Sequence, residues 1–188
     1  MFELFQLKNG RKVSIKRLFK DDYEKNNNYT FVYNWLHDVN KYLSLNFEKK
    51  DLKQNKITYY KMISNEKLYI VIGAIFNEAI IATAHLSLVP PETKSGHVGT
   101  WGIAVHPDFQ YQGLGRKLLE QVEECARQKG LKKLQASFFA KNERAEKLYI
   151  EKMNYVIEGK QKFAALLNDG TYTDIVLIGK ILDKELAQ

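Results

Sequence analysis

The chain contains little cysteine and little proline. One of its 188 residues is cysteine, Cys125, and three are proline. A single cysteine cannot form an intrachain disulfide, which fits a reducing compartment. The four histidines are scattered and lack the spacing that is typical of a zinc site, so the sequence predicts no metal site.

Long apolar runs are also missing. The two longest, at 68–76 and 79–88, are far shorter than the about 20 residues that a membrane-spanning helix needs. The N-terminal residues lack the basic start and the apolar run of a signal peptide. We therefore expect a soluble cytoplasmic protein without a membrane partner.

Acidic residues are outnumbered, since 29 Lys and Arg face 22 Asp and Glu and give a net charge of +7. This excess would suit nucleic acid, an acidic partner or a cofactor with several phosphates. Much of it is dispersed lysine in a predicted helix at 51–64, which is typical of a solvated helix face. Nucleic acid is therefore not the expected partner.

The remaining composition, 45% hydrophobic and 27% charged, suits one globular domain over 1–188. Alternating and buried apolar patterns predict strands, and residues Asn77-Glu78 predict a tight hairpin turn between two of them. Helices are predicted from Asp21 onward, with a break at Asn26–Asn28, and after Asn142. The predicted strands are at 12–19, 68–76, 79–89, 97–105, 133–139, 155–167 and 171–182, and the longer helices are at 29–39, 51–64 and 113–129.

The helix at 113–129 is strongly amphipathic and lies between two predicted strands, so it forms a right-handed βαβ unit. The sequence thus predicts an α/β (α+β) fold. We expect a mixed, mainly antiparallel sheet of about seven strands with flanking helices and one central βαβ unit.

The segment before this helix has the pattern Gln110-x-x-Gly113-x-Gly115. Two glycines allow close approach of the backbone to an anion, and the first N–H groups of a helix have no intrahelical partner. Together with Arg116 and Lys117, they predict a pyrophosphate-binding loop at the positive end of the helix dipole. An ordinary glycine-containing loop is the alternative interpretation of the pattern alone.

The order of elements and two motifs resemble the GNAT superfamily of acetyl-CoA-dependent N-acetyltransferases. The resemblance is closest in pattern to members that acetylate protein N-termini, polyamines or phosphinothricin. It implies that the loop binds the coenzyme A pyrophosphate, that the preceding strand holds the pantetheine arm and the acetyl carbonyl, and that a later Asn and Tyr lie beside the pantetheine and the thioester. The implied cofactor-binding residues are Ile103, Ala104, Val105, Gln110, Tyr111, Gln112, Gly113, Leu114, Gly115, Arg116, Lys117, Asn142 and Tyr149.

Two of these residues are candidates for chemistry. The resemblance implies that the Val105 N–H, left unpaired where two strands splay, contacts the acetyl carbonyl and stabilises the developing oxyanion. Tyr149 is the candidate general acid, since a neutral phenol can protonate the departing thiolate. Without the resemblance, an intact sheet would pair the Val105 amide, and Tyr149 would be a core residue.

A general base is harder to assign. Relatives carry Glu or His at positions that correspond here to Gly99, Trp101 and Ser137. His97 is a candidate that would act through water, although a surface position is its simpler interpretation. His85 is a weaker candidate, and we expect it to be a hydrogen-bonded residue of the sheet.

The sequence therefore predicts an N-acetyltransferase that transfers acetyl from acetyl-CoA to a primary amine in a ternary complex. The amine would belong to a protein N-terminus or to a small amine or polyamine. Tyr29, Phe31, Tyr33 and Trp35 could line its pocket, although their spacing favours core packing for at least half of them. The alternative is a non-catalytic acetyl-CoA sensor or structural protein. Edge strands at the C-terminus could also pair in a homodimer.

Overall fold

The computed structural model describes residues 2–43, 51–183 and 186. Its centre is one eight-stranded sheet with the order β1-β2-β3-β4-β5-β6-β8-β7, and every neighbouring pair is antiparallel except the parallel pair β5–β6. The predicted fold class is confirmed, with eight strands where the sequence predicted about seven. The strands are β1 Phe2–Gln6, β2 Lys12–Leu18, β3 Tyr69–Phe76, β4 Ala79–Leu88, β5 Val98–Val105, β6 Lys133–Phe139, β7 Val156–Leu166 and β8 Tyr172–Ile181.

The additional strand is β1, which sequence analysis did not predict. It pairs antiparallel with β2, and the turn between them closes when Leu7 N–H donates to the Arg11 carbonyl at 2.8 Å. Leu4 in β1 is 66% exposed, so burial patterning gives this strand only a weak signal. Pairing with β2, more than its own sequence, makes it a strand.

In the described parts of the chain, five α-helices flank the sheet. The predicted interruption of the first helical segment is confirmed, because Asn26 and Asn27 have φ values of 51° and 54°. None of the described helices is long and apolar enough to cross a membrane. The helices are α1 Lys20–Glu24, α2 Asn28–Asp38, α3 Leu52–Ile63, α4 Leu114–Gln128 and α5 Glu143–Glu146, which continues as a π-helical turn over Lys147–Lys152.

The β3–β4 hairpin positions α2. Asn77 and Glu78 in its turn have φ values of 47° and 67°, as a type I′ turn requires. Asn28 at the start of α2 accepts a hydrogen bond from Ile80 N–H at 3.1 Å and donates one to the Glu78 carbonyl at 3.0 Å. The Trp35 indole N–H donates to the Ile80 carbonyl at 3.2 Å. These bonds fix the helix across one face of the sheet.

The two faces of the sheet carry separate cores. Helices α4 and α5 cover one face, where Leu118, Leu119 and Val122 of α4 are fully buried, as their spacing predicted. Helices α1–α3 cover the other face with a core that is rich in tyrosine, including Tyr23 and Tyr29. The sheet therefore separates an aliphatic layer from an aromatic one.

The β5–α4–β6 unit is open along part of its length. Parallel pairing between β5 and β6 covers only Val98–Thr100, opposite Lys133–Gln135. From Trp101 onward β5 pairs with β4 alone, because β6 turns toward β8. A gap consequently divides the sheet between β5 and β6.

Candidate functional site

A cavity of about 800 Å³ crosses the sheet at this gap. Trp101, Asn142 and Tyr149 line it on the face that α4 and α5 cover. His85 and Tyr69 line it on the tyrosine-rich face. The cavity thus joins the two layers that the rest of the sheet separates.

The backbone of β5 points into the gap. His106 N–H donates to the Ile81 carbonyl of β4 at 2.8 Å, and alternate residues of a strand direct their backbone groups to opposite sides. The N–H and carbonyl groups of Ile103 and Val105 therefore point away from β4, toward the side where pairing with β6 has ended. The Val105 carbonyl accepts a hydrogen bond from the Gln110 side chain at 3.1 Å. This arrangement orients the Val105 N–H as the sequence hypothesis requires.

The predicted loop leads directly from this strand into α4. Tyr111 and Gly113 adopt positive φ values of 61° and 86°, and the helix begins at Leu114. The first N–H groups of α4 have no partner one turn earlier in the helix. Gln112 braces the loop, since its carbonyl and its side-chain oxygen accept hydrogen bonds from Lys8 N–H at 3.4 Å and Asn9 N–H at 3.1 Å. The loop is a preformed concave backbone surface.

The two cations predicted beside the loop have different surroundings. Lys117 is mostly buried, and its Nζ lies 2.6 Å from a carboxylate oxygen of Glu3. Arg116 is exposed and pairs with Glu120 at 2.9 Å. Arg116 is therefore better placed than Lys117 to face an anion at the loop.

Arg144 is a third cation near the loop, and sequence analysis did not identify it. Its guanidinium donates to the Gln110 side-chain oxygen at 3.0 Å and lies over the Tyr111 ring, 5.1 Å from the centroid. No sequence pattern links α5 to this loop, since the contact exists only in the fold.

Tyr149 lies in the π-helical turn, a geometry that often accompanies functional sites. Its ring packs edge-on against Trp101 at 4.9 Å and Phe138 at 5.8 Å. Burial raises the pKa of the Tyr149 hydroxyl above its usual value, so the group stays protonated at neutral pH. Among the described residues the hydroxyl has no hydrogen-bond partner, and it faces the cavity. A neutral donor is thus available on this side of the gap.

Asn142 lies at the start of the same helical segment. Its Oδ1 accepts a hydrogen bond from Ala145 N–H at 3.2 Å and caps α5. Downstream, Asn154 has a φ of 58°, so the asparagine in Met153-Asn154-Tyr155 adopts the left-handed conformation that ends the helix. The capped segment holds Asn142 and Tyr149 on the cavity wall.

His97 lies at the surface, as its simpler interpretation predicted, whereas His85 lies at the cavity. His97 is exposed in the turn before β5, where its carbonyl accepts from Lys132 N–H at 2.9 Å, and it does not line the cavity. His85 does line the cavity and stacks on Tyr69, with ring centroids 5.3 Å apart. The expected hydrogen bond of His85 within the sheet is wrong, because its imidazole bonds to no residue in the described ranges. Burial lowers the pKa of His85 to about 4.

Tyrosine side chains dominate the cavity wall on the His85 face. Tyr23 and Tyr59 are joined by a hydrogen bond of 2.7 Å between their hydroxyls, and burial raises the pKa of both. The Asn55 amide donates to the Tyr33 hydroxyl at 2.8 Å. Of the four aromatic residues weighed from sequence, Tyr29 and Tyr33 line the cavity and Phe31 and Trp35 do not. Besides Tyr149, the tyrosines of the lining are Tyr23, Tyr29, Tyr33, Tyr42, Tyr59 and Tyr69.

Glu158 supplies the one carboxylate among the described lining residues. It occupies a β-bulge of β7, between Ile157 and Gly159. The carboxylate lies over Gly179, where a Cβ would clash with it, and it pairs with Lys133 at 2.6 Å. The described residues contain no cluster of three or more His, Cys, Asp or Glu side chains that could hold a metal ion.

Comparison with known proteins decides the family. The model of the acetyltransferase (GNAT) family matches residues 14–155. The chain belongs to the GNAT family. Among curated proteins, none matches the sequence.

Solved structures share the GNAT fold. A GNAT acetyltransferase from Streptococcus pneumoniae is 24% identical with a TM-score of 0.73, and the match covers 91% of this chain and 99% of that one. The ribosomal-protein-S5-alanine acetyltransferase of Vibrio fischeri is 20% identical with a TM-score of 0.73, over 97% and 98% of the two chains. A putative acetyltransferase from Salmonella typhimurium, solved with acetyl-CoA, is 20% identical with a TM-score of 0.71, over 90% and 95%.

Acetyltransferases of the GNAT family use acetyl-CoA as the acetyl donor. The residues present fit that donor. The gap exposes unpaired backbone of β5, the loop presents N–H groups at the α4 N-terminus, and a side chain at Gly113 would be disfavoured because its φ is 86°. The cavity beyond the gap provides space for the acetyl group and a second substrate.

Proposed function

We propose that this enzyme transfers acetyl from acetyl-CoA to one primary amine by direct attack in a ternary complex. The observation that carries the proposal is the cavity at the β5–β6 gap, which Tyr149, Ile103 and Ala104 line and which leaves space beside them for a second substrate. The Val105 N–H would lie next to this lining, and both substrates would be accommodated together. Direct attack requires no nucleophilic side chain that would carry the acetyl group.

On the donor side, the proposed binding surface is mostly backbone. Ile103, Ala104 and Val105 would align the pantetheine arm, and the loop would hold the pyrophosphate. Asn142 has its amide nitrogen left for the arm, because its oxygen caps α5. The proposed loop ligands are Gln110, Tyr111, Gln112, Gly113, Leu114, Gly115 and Arg116, with Arg144 added and Lys117 in a supporting position beside Glu3.

The chemical roles follow from the side chains that face the gap. Acetyl-CoA supplies the acetyl group as a thioester. The Val105 N–H would donate to the carbonyl oxygen as negative charge develops there. Tyr149 would donate its proton to the sulfur as the carbon–sulfur bond breaks, because burial keeps its hydroxyl neutral.

The wall on the His85 face favours an amine that carries a single charge on an apolar or aromatic body. Six tyrosines besides Tyr149 line the cavity, whereas Glu158 is the one described carboxylate of the lining and already faces the Lys133 ammonium. A polyamine would leave several ammonium groups without acidic partners, which is costly in a buried site. A small monoamine or a protein N-terminus with an apolar first residue fits this surface better.

The test is release of free thiol from acetyl-CoA in the presence of a panel of amines. The panel contains phenethylamine, peptides with N-terminal Ala or Asp, and spermidine. We expect release with phenethylamine or the Ala peptide, and at least about tenfold less with spermidine. Tight binding of acetyl-CoA with no release on any amine would support the sensor instead.

We also propose that β7 is the homodimer contact. It is an edge strand, and Val156, Ile157 and Leu166 are each at least 55% exposed. Sedimentation equilibrium of the wild type and of Ile157→Lys tests this contact. A wild-type monomer at all concentrations contradicts it.

A further inference from the structure

His85 occupies a position that the proposed roles of Val105 and Tyr149 leave unused. It is paired across the sheet with Gly102 of β5, two residues beyond the end of β5–β6 pairing. A Cβ at Gly102 would lie 2.5 Å from the His85 Cε1, so the imidazole covers that glycine. The ring therefore sits at the start of the gap.

His85 and Tyr149 approach the gap from opposite faces of the sheet. Gly102 shares its face with Ala104, which packs with the tyrosine-rich core, whereas Trp101 packs on Tyr149 in the other layer. Val105 lies three positions after Gly102 in β5, which corresponds to about 10 Å at about 3.3 Å per residue. A carbonyl group, an attacking nitrogen and one water molecule fill such a span.

The surroundings keep the imidazole uncharged and its nitrogens unoccupied. Burial lowers the pKa of His85 to about 4, with no contribution from a charged neighbour in the described chain. Its nitrogens make no hydrogen bond to the described residues, so a lone pair is free toward the cavity. The titratable groups that share this part of the cavity are Tyr69 of β3, Tyr59 of α3 and Tyr23 of α1, and, beyond β6, Glu158 with Lys133.

We propose that His85 is the catalytic base that takes the proton from the acceptor amine, directly or through one water. The inference rests on the proposed N-acetyl transfer. The amine nitrogen forms the new bond to the carbonyl carbon while the carbon–sulfur bond breaks. The acceptor ammonium loses one proton to the imidazole before attack and a second one after it, and the imidazole passes each to solvent, while the thiolate takes its proton from Tyr149. Tyr149 recovers a proton from water.

The first experiment replaces the base. His85→Gln should lower kcat by about 100-fold and change the KM for acetyl-CoA by less than about twofold. His37→Gln, a histidine substitution on α2 outside the cavity, is the matched control and should keep wild-type kcat. Wild-type kcat in His85→Gln overturns the proposal.

Chemical rescue separates a base from a side chain that only fills space. In His85→Gly, free imidazole should restore at least about tenfold of the lost rate, and the rescue should rise with pH as imidazole loses its proton near neutrality. Pyrazole has the same shape and is a much weaker base, so it should not rescue. Equal rescue by pyrazole, or rescue that does not depend on pH, overturns the proposal.

Two checks keep these outcomes distinct. If His85→Gly does not fold, Gly102→Ala displaces the imidazole without removing it, and the same loss of kcat is expected with acetyl-CoA binding retained. Wild-type kcat in that variant contradicts the role of His85. A wild-type enzyme that acetylates no amine in the panel contradicts the proposed function, whereas an active wild type with an equally active His85→Gln contradicts only the base.

Discussion

The donor and acceptor sides of the candidate site differ in whether backbone or side chains form the surface. On the donor side, the proposed surface consists of the backbone of β5, which lines the cavity at Ile103 and Ala104, and of the loop Gln110–Gly115 before α4, which lies beyond the cavity lining. On the His85 side, side chains from α1, α2, α3, β3 and β4 form the surface.

Because of this difference, the donor surface can be shared by many enzymes, whereas the acceptor surface can differ from one enzyme to another. A backbone surface recognises the phosphates and amides of a donor that is shared by many enzymes, so a short motif is sufficient. A side-chain surface can change at each position without altering the fold. The donor side should therefore respond to changes in backbone conformation, and the acceptor side to changes in side chains.

The largest expected effect is on kcat and concerns Tyr149, which lies between the donor and acceptor sides. Tyr149→Phe should lower kcat by about 100-fold or more, because the thiolate loses its proton donor, while the KM for acetyl-CoA stays within about twofold. The ring contacts with Trp101 and Phe138 remain, so the fold is kept. Steady-state kinetics measure the effect.

Tyr155→Phe is the matched control for this substitution. Its side chain is buried and packs against the same Trp101, and it does not line the cavity. We expect wild-type kcat. Near-normal turnover in Tyr149→Phe would remove its role as general acid.

On the acceptor side, protonation of His85 should lower the free energy of unfolding in acid. Since the pKa of His85 is about 4 when folded and about 6.5 when unfolded, the unfolded chain binds more protons between these values. Stability from the neutral imidazole is complete above pH 6.5 and falls by about 3 kcal/mol as the pH drops to 4. Urea unfolding at pH 7 and pH 4 measures this loss.

Comparison with His85→Gln isolates this contribution from carboxylates that titrate in the same range. The difference in unfolding free energy between wild type and variant should change by about 3 kcal/mol between the two pH values. Parallel pH dependence of the two proteins would show that His85 is not buried as a neutral group.

The donor side should respond to backbone conformation. Gly113→Ala places a β-carbon at a φ of 86°, which costs about 1 kcal/mol and distorts the loop. We expect the KM for acetyl-CoA to rise about tenfold with kcat less affected. Gly130→Ala imposes a similar φ of 74° at the far end of α4, so it should cost as much stability and leave the KM unchanged. Equal KM changes in both variants would indicate a general effect on folding.

The smallest expected effect distinguishes the two cations that follow the loop. Arg116→Gln should raise the KM for acetyl-CoA about threefold at low salt, and less at high salt because surface charges are screened. Lys117→Gln should raise it less, since Lys117 already faces Glu3 at 2.6 Å. A larger effect from Lys117 would place its ammonium at the phosphates.

Much of the fold could be predicted from the sequence because its signals are local. The hairpin turn at Asn77-Glu78, the amphipathic helix α4 and the break at Asn26-Asn27 each depend on neighbouring residues. β1 could not be predicted, because its partner β2 stabilises it and its own side chains are largely exposed.

The residues of the candidate site also divide into those with a local sequence signal and those that depend on distant contacts. The loop and the Asn142–Tyr149 spacing are contiguous patterns and were predicted. His85 was ranked below His97, because no sequence signal tells that a residue of β4 covers Gly102 and so reaches the gap on the other side of β5. Arg144 and Glu158 depend on contacts between distant elements, with Gln110 and Lys133 respectively.

The gap between β5 and β6 has a kinetic consequence. Because the cavity is lined from both faces of one sheet, the proposed donor and acceptor would approach from opposite sides, and neither would have to leave before the other could exchange. Spent coenzyme and acetylated amine would depart independently, in either order. Initial-rate plots against one substrate at several concentrations of the other should then intersect, and each product should inhibit competitively only against the substrate that shares its route.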